Sequence, residues 1–292
     1  MEKVIKFKSV NKKYVKTIPL KILQYIILAV VSVFFLFPII VMICYSILPD
    51  GETYDAVLFS KDGIINIGTY IEILTNTDYL LYLKNSIIVG ILCSFGIPVS
   101  AALCAYGFSK INFVGKKAVF SIMLATMMIP SIVTQIPLYL VYTKLHLSNT
   151  LLPLWLPSWC GGGATNIFLM TQFMKGIPND LNNAAKIDGA GTFRIFWNMM
   201  IPLCLPIFLY VTVMAFMGSW NDFMTPLLYI NNKAKYTLSL GIYFDYGKIG
   251  MSGTLPNIAM AAGAVMMLPC TVLFFVFQKY LIEGVTLSGL KG

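Results

Sequence analysis

Six stretches of the chain stay predominantly apolar for more than twenty residues, near 22–48, 85–109, 118–142, 150–174, 198–220 and 257–281. Crossing a hydrocarbon core of about 30 Å takes roughly 20 helical residues. Each stretch therefore predicts a transmembrane helix, and the pattern predicts an all-α membrane protein with six transmembrane helices. Prolines and glycines interrupt the third and fourth stretches, at Pro130, Pro137, Pro153, Pro157 and Gly161–Gly163. Those helices are expected to be kinked or partly unwound, which is tolerated only where neighbouring protein or a water-filled cavity satisfies the freed backbone groups. Broken central helices suit a conduit better than a simple anchor. No charge falls between Ile22 and Leu48, a run far longer than the apolar core of a signal peptide, about 7–15 residues. Cys44 follows Ile43 rather than a small residue, so a lipoprotein cleavage site is not expected either. The first stretch reads as a retained span.

Composition agrees. Of 292 residues, 58% are hydrophobic and 11% charged, where a soluble domain carries about 25% charged residues. The mean hydropathy of +0.79 requires lipid as part of the solvent. A net charge of +9 would raise nucleic acid as a partner of a soluble protein. Here the charge sits in loops and in the N-terminal segment, so membrane orientation accounts for it and no nucleic acid is expected. Lys3, Lys6, Lys8, Lys12, Lys13, Lys16 and Lys21 face a single acid, Glu2, and the 110–117 loop adds Lys110, Lys116 and Lys117. The 49–84 loop instead holds Asp50, Glu52, Asp55, Asp62, Glu72 and Asp78 against Lys61 and Lys84. The positive-inside rule then places both termini in the cytoplasm, with 49–84, 143–149 and the charge-mixed 221–256 outside. This divides the chain into a cytoplasmic basic tail (1–21), a six-span membrane domain (22–284) and a short cytoplasmic tail (285–292).

No loop exceeds about 40 residues, too few for a soluble domain with its own core. The Gly115-Lys116 and Gly247-Lys248 pairs lack the glycine five positions upstream that a phosphate-cradling loop needs. ATP-driven work would therefore need an ATPase on another chain. The six cysteines, Cys44, Cys93, Cys104, Cys160, Cys204 and Cys270, lie inside apolar segments. Their spacing suits neither a disulfide framework nor a zinc site, so they read as small apolar filler and no metal is expected.

Between the fourth and fifth stretches, the segment 176–202 has its own punctuation. Pro178 with Asn179 or Asp180 predicts a helix start, with a side-chain oxygen capping free N–H groups. Leu181, Ala184, Ala185 and Ile187 follow at helical spacing, and Gly189 and Gly191 predict the stop. Phe193, Ile195, Phe196 and Trp197 then form an apolar patch. A short capped helix of small residues on a cytoplasmic loop suits the groove of another protein. The residues alone equally allow an amphipathic connector lying on the bilayer surface.

Asn183-Ala184-Ala185, then Gly189, then Met199-Met200-Ile201-Pro202 resembles the EAA loop of ABC importer permeases. That pattern is Glu-Ala-Ala, three residues, glycine, nine residues, then Ile-x-Leu-Pro, and the spacing fits without a gap. Asn183 stands where the family carries glutamate, while Met199 and Ile201 are conservative replacements. Further stretches resemble the carbohydrate permeases related to the second permease subunit of the maltose-type importer. They are Leu83–Ser86, Ala105–Lys116, Met128–Ser131 with Ile136–Tyr139, and Trp220-Asn221-Asp222-Phe223. The Lys279-Tyr280, Gly284-Val285 and Lys291-Gly292 pairs are similar to the oligosaccharide and polysaccharide-fragment branch.

The resemblance implies a type I ABC importer permease bundle with a cytoplasmic coupling helix that sits in a cleft of the ATPase. Asn183, Ala184, Ala185, Asp188, Gly189, Arg194 and Pro202 would then serve ATPase coupling. ATP and Mg would be bound by the partner ATPase, present in two copies, and no cofactor is expected on this chain. The other implied partners are a second, homologous permease subunit, an extracytoplasmic solute-binding protein, membrane lipid and an oligosaccharide. The implied location is the bacterial cytoplasmic membrane. Asp188 and Arg194 would pair with the ATPase or with each other, against the plainer reading of a solvated surface pair. Arg194 is the only arginine in the chain, and its fork suits a carboxylate better than lysine would.

Polar side chains inside spans are costly and so raise a functional reading. Gln135, Asn166, Gln172, Asn221 and Asp222 are candidates for a substrate path, with Trp155, Trp159 and Trp220 as stacking faces for sugar rings. Helix–helix hydrogen bonds and interfacial aromatic belts are the competing and favoured explanation. His146 reads as a surface residue of a short outer loop. Tyr236, Tyr243, Phe244 and Tyr246 sit on the 221–256 loop, which by resemblance would meet the solute-binding protein. An ion-driven secondary transporter would need mid-span acids or bases, and these spans hold almost none. A membrane enzyme would need a carboxylate or histidine cluster, which is also missing. On the residues alone the cargo stays open to amino acids, peptides or phosphate. Sugar rests on the resemblance.

Overall fold

The computed structural model describes residues 12–53, 58–63, 65–247 and 255–289, without the side chains of 12–20, 51 and 282–289. Helix α1 (Lys12–Ser46) leads through the short α2 (Gly68–Thr75) into α3 (Thr77–Lys110). The middle of the chain is broken into α4 (Lys116–Thr126), α5 (Ser131–Lys144), α6 (Leu152–Trp155) and α7 (Ala164–Lys175). Then come α8 (Asn179–Ile187), α9 (Thr192–Ile195), α10 (Ile201–Leu203) and α11 (Leu205–Trp220). The last elements are α12 (Met224–Tyr229), α13 (Leu238–Asp245) and α14 (Pro256–Gly289). Among the described residues, three helical stretches are long and apolar enough to cross a membrane: Lys21–Ser46, Thr77–Lys110 and Pro256–Leu281.

The other three expected spans are not single helices, and proline and glycine chemistry explains each departure. The 118–142 stretch is α4 plus α5, bent by 99° where Met127–Ile129 turn into Pro130, which has no N–H to continue a ladder. The 198–220 stretch bends by 83° at Cys204. Before that bend, a widened π turn over Phe196–Met200 joins α9 to α10. It lies immediately ahead of Pro202, whose ring would clash with the carbonyl four residues back in a regular helix. Counting each bent pair as one crossing brings the described spans to five.

The 150–174 stretch is the most unwound. After α6 it runs through a 3₁₀ turn at Leu156–Trp159 and then through Gly161, Gly162 and Gly163 at φ +103°, +67° and +88°. L side chains rarely enter that region. At Gly162 space is also lacking, because a Cβ there would lie 2.3 Å from the Ile97 carbonyl oxygen and 2.9 Å from the Ala101 Cβ. The glycine run therefore lets the loop press against α3 and turn into α7.

Helix α3 is the central post, packed chiefly on α11 and α7. At one end its small residues Ala101, Ala102 and Ala105, with Tyr106, meet Met170 and Met174 of α7. Ile195, Phe196, Met200, Ile207 and Val211 complete that core. At the other end Tyr79 and Tyr82 pack with Ile73, Trp220, Leu238 and Tyr246 against Ala261 and Ala262 of α14. Asn85 donates to the carbonyls of Ala234 (3.0 Å) and Tyr236 (2.9 Å), and the Ser86 hydroxyl accepts from the Leu238 amide at 2.7 Å. The stretch 221–256, read from sequence as a loop, is thus largely structured and buttoned to α3.

An ionic tie closes the same end, where Lys233 reaches Asp78 at 2.8 Å and Asp245 at 3.1 Å. Hydrogen bonds to Asp78 and then to Asp245 hold its ammonium charged well above the ordinary lysine range. Such a raised value supports the fold at neutral pH and is lost only as pH climbs past the lysine range. Tyr236 stacks on Phe244, and Tyr246 is buried, whereas Tyr243 is exposed.

Helix α1 is the exception to this packing. Its side chains from Lys21 to Pro38 are exposed throughout, and only its last two turns engage the bundle, chiefly against α14. Asn257, fully buried, donates to the Leu48 carbonyl (3.0 Å) and to Asp50 (2.8 Å), tying the end of α1 to the start of α14. The helix is described from Lys12, so the described part of the basic tail belongs to α1. Residues 1–11 and 290–292 lie outside the described residues.

Candidate functional site

The segment 176–202 folds as its punctuation predicts, with one correction. Helix α8 spans Asn179–Ile187, but Pro178 occupies the cap position and no side chain caps it. The expected cap is not made because Asn179 and Asp180 already lie inside the first turn, past the cap position. Asn179 Oδ1 instead accepts from Lys110 Nζ at 2.9 Å, and the same ammonium donates to the Ile177 carbonyl at 2.6 Å. The stop is a full Schellman arrangement. The Gly189 amide donates to the Lys186 carbonyl (3.0 Å) and the Ala190 amide to the Ala185 carbonyl (2.9 Å), with Gly189 left-handed at φ +79°. A Cβ at Gly189 would meet nothing within 4 Å, so the requirement there is conformational.

One face of α8 is anchored and the rest is presented. Asn182 is buried and its Oδ1 accepts from the Tyr106 hydroxyl at 3.3 Å, while Ala185 and Ala190 pack on the α3–α7 core. Asn183, Ala184, Asp188, Gly189 and Arg194 are exposed. So are four large apolar side chains: Leu181, Trp197, Ile187 at 86% and Phe193 at 72%. Asp188 and Arg194 make no ion pair with each other among the described residues. Pro202 lies in α10, just after the π turn.

Tyr106, Lys110 and Asn182 are the residues that sequence reasoning missed. Lys110 counted only as an orientation charge, and the Asn179, Asn182 spacing of three residues was the available signal that one polar face turns inward. Replacing Asn182 with alanine orphans the Tyr106 hydroxyl. A buried hydrogen bond of this kind contributes about 1 kcal/mol, so limited proteolysis within 176–202 should run roughly fivefold faster in the variant, with global thermal stability little changed.

The polar span residues divide. Asn166 and Asp222 line a cavity of about 290 Å³ between α3, α7 and α11, together with Cys93, Ser158, Ser219 and Thr237. Trp220 does not face it. Its indole is buried, stacked on Phe216 at 5.3 Å, with Nε1 donating to the Met266 carbonyl at 3.0 Å. Asn221 is exposed and donates to the Met217 carbonyl at 2.8 Å. Gln135 stands apart on α5 with a buried Oε1 that meets no donor, and Gln172 is exposed. Trp159 lies over Gly96, where a Cβ would approach its Nε1 to 2.7 Å, and Trp155 is half-buried. His146 is exposed and left-handed at φ +56°. No cluster of metal-binding side chains occurs among the described residues.

Residues 86–286 match the family described as the binding-protein-dependent transport system inner membrane component. The chain belongs to this family. It is therefore a multi-pass inner-membrane permease component of an ABC importer and not an enzyme, the ATPase being a separate subunit. The permease is 28% identical over 264 residues to the arabinooligosaccharides transport system permease protein AraQ of Bacillus subtilis, covering 89% of this chain and 92% of that one. It is 28% identical over 260 residues to the trehalose/maltose transport system permease protein MalG of Thermococcus litoralis, covering 88% and 92%. Its backbone superposes with a TM-score of 0.77, at 21% identity, on a chain of a bacterial ABC transporter that imports the acidic polysaccharide alginate, covering 91% of this chain and 97% of that one. The likeness at that identity concerns the fold.

Proposed function

We propose that this permease carries an oligosaccharide inward as one half of a heteromeric pair, and that α8 is the coupling helix through which two ATPase subunits drive it. The observation that carries this reading is the presentation of α8. It is a helix closed by a Schellman stop, pinned through Lys110 and Tyr106 to the inner end of α3, with Leu181, Ile187, Phe193 and Trp197 exposed around the family's glycine. Exposed apolar side chains on a rigid polar-anchored loop are what a protein groove buries. The alternative of a surface connector asks α8 to lie in the headgroups, yet most of its exposed residues are polar or small. The cargo class rests on relatives named for arabinooligosaccharide and trehalose/maltose transport.

Both termini then lie in the cytoplasm, with the 221–256 segment outside facing a solute-binding protein. Six crossings result, the fourth being assembled from α6, the glycine turn and α7. ATP-driven closure of the ATPase pair pushes the two coupling helices and rocks the spans from inward- to outward-facing, a two-state change biased by a partner. Hydrolysis resets the cycle. Because Asn183 carries no charge, docking relies on the apolar side chains and on Asp188 and Arg194.

Ile187→Asp together with Phe193→Asp should cut co-purification of the ATPase at least tenfold, while the two permease subunits still associate. Unchanged co-purification would remove α8 from the docking role. Reconstituted with its ATPase and binding protein, the wild-type complex should accumulate neutral oligosaccharide in an ATP-dependent manner.

A further inference from the structure

The 290 Å³ cavity holds one carboxylate and no basic side chain. It lies along Val89, Cys93 and Ile97 of α3, thirteen residues or about 20 Å from the Lys110 anchor. Its other walls come from Leu154, Ser158 and Asn166 on one side and from α11 with Asp222, Pro226 and Thr237 on the other. Met214 and Gly218, one helical turn apart on α11, are both exposed and form the mouth.

Several of the donors around this cavity are engaged within the protein. Ser158 Oγ donates to Cys93 Sγ at 3.3 Å, Ser219 Oγ to the Phe216 carbonyl at 3.0 Å, and Asn166 Nδ2 to the Gly162 carbonyl at 2.8 Å. Asp222 Oδ1 accepts from the Thr225 amide at 3.1 Å. Its other carboxylate oxygen, and Asn166 Oδ1, meet no donor among the described residues. What faces a ligand is a carboxylate oxygen of Asp222 with the amide oxygen and second N–H of Asn166, and no lysine or arginine lines the cavity. A carboxylate with no cation beside it attracts O–H donors and repels a second negative charge, so the cavity favours a hydroxyl-rich ligand over one that brings a carboxylate.

We propose that this cavity is a substrate subsite of the permease that takes one neutral, hydroxyl-bearing sugar ring and discriminates against uronic-acid residues, with Asp222 as the specificity-determining group. The proposal rests on the oligosaccharide-import reading and deepens it by naming the class of sugar. The volume lies at the lower end of the about 300–1,000 Å³ typical of small-ligand sites, which suits a single ring rather than a chain. Asp222 accepts from two neighbouring hydroxyls through its free oxygen while Thr225 holds the other oxygen in place. Asn166 Oδ1 supplies a further acceptor across the cavity.

The test uses the complete permease–ATPase complex in nanodiscs, without binding protein, titrated by calorimetry. Neutral trisaccharide probes are maltotriose, arabinotriose and galactotriose, and the anionic probe is trigalacturonate. Wild type should bind at least one neutral probe saturably and trigalacturonate at least tenfold more weakly. Asp222→Asn, which keeps an acceptor for Thr225, should narrow that ratio at least tenfold. Gly218→Leu, a substitution compatible with helix and meeting no atom within 4 Å of its Cβ, should weaken every probe by filling the mouth. Failure of all neutral probes to bind, equal binding of trigalacturonate, an unchanged ratio in Asp222→Asn, or saturable binding of spermidine alone would each overturn the subsite. ATPase stimulation by loaded binding protein, measured on the same preparations, separates these outcomes from failure of the import reading. If stimulation persists while selectivity is unmoved, only the subsite is lost.

Discussion

Gly189→Val is expected to abolish ATP-driven uptake, lowering it more than tenfold, while the permease still inserts and pairs with its partner subunit. The residue closes α8 in the left-handed region at φ +79°, where an ordinary L residue costs roughly 1–2 kcal/mol and a β-branched one more. The added side chain meets no neighbour, so the damage is confined to the stop. The 5→2 and 6→1 bonds from Gly189 and Ala190 open, and Ile187, Asp188 and Phe193 lose their fixed directions. Gly189→Asn separates conformation from size, because asparagine tolerates this region and should retain most uptake. Equal loss in both variants would mean that contact at the glycine, rather than its backbone angle, matters. Unimpaired uptake in Gly189→Val would remove the stop from the mechanism.

Gly162→Val should prevent accumulation of folded permease. Here two costs combine: a left-handed backbone at φ +67°, and a Cβ 2.3 Å from the Ile97 carbonyl oxygen. The neighbour is backbone of α3 and cannot swing aside as a side chain would. Strain of about 1–2 kcal/mol adds to overpacking of about 1–3 kcal/mol, a sum that exceeds ordinary point-mutation effects. Fluorescence-detected size-exclusion of the solubilised complex is the measurement, with Gly107→Ala as a control. Gly107 sits on α3 with nothing within 4 Å of its Cβ position, so that change should be neutral or slightly stabilising. A normal monodisperse peak for Gly162→Val would show that the loop between α6 and α7 can leave α3 without unfolding the bundle.

The helical class and the register of the apolar stretches were legible because lipid forces long uncharged runs into helices. Where helices bend was legible only as a list of suspects. Of those suspects Pro130 marks a break while Pro137 sits within a continuous helix, and the bend of the fifth stretch near Pro202 was not among them. The loop 176–202 was legible because helix start and stop chemistry is local. Its anchors were not, because Tyr106 and Lys110 lie about seventy residues upstream. For Trp220 the sequence allowed a sugar platform but favoured packing or an interfacial belt, and which neighbour it meets, the Met266 carbonyl, came only from the fold. Asn166 and Asp222 shared one cavity although fifty-five residues separate them in sequence, which only the fold can arrange.

Helix α3 is fastened at Asn85 and Ser86 to the outer segment and at Tyr106 and Lys110 to the loop that carries α8. Pro98, the soft point in its ladder, stands about 20 Å from Asn85 and about 18 Å from Lys110 along the axis. A helix held this way has its softest point nearly midway between its two fastenings. On the proposed docking of α8, a displacement at the inner end would have to pass this soft point to reach the outer segment.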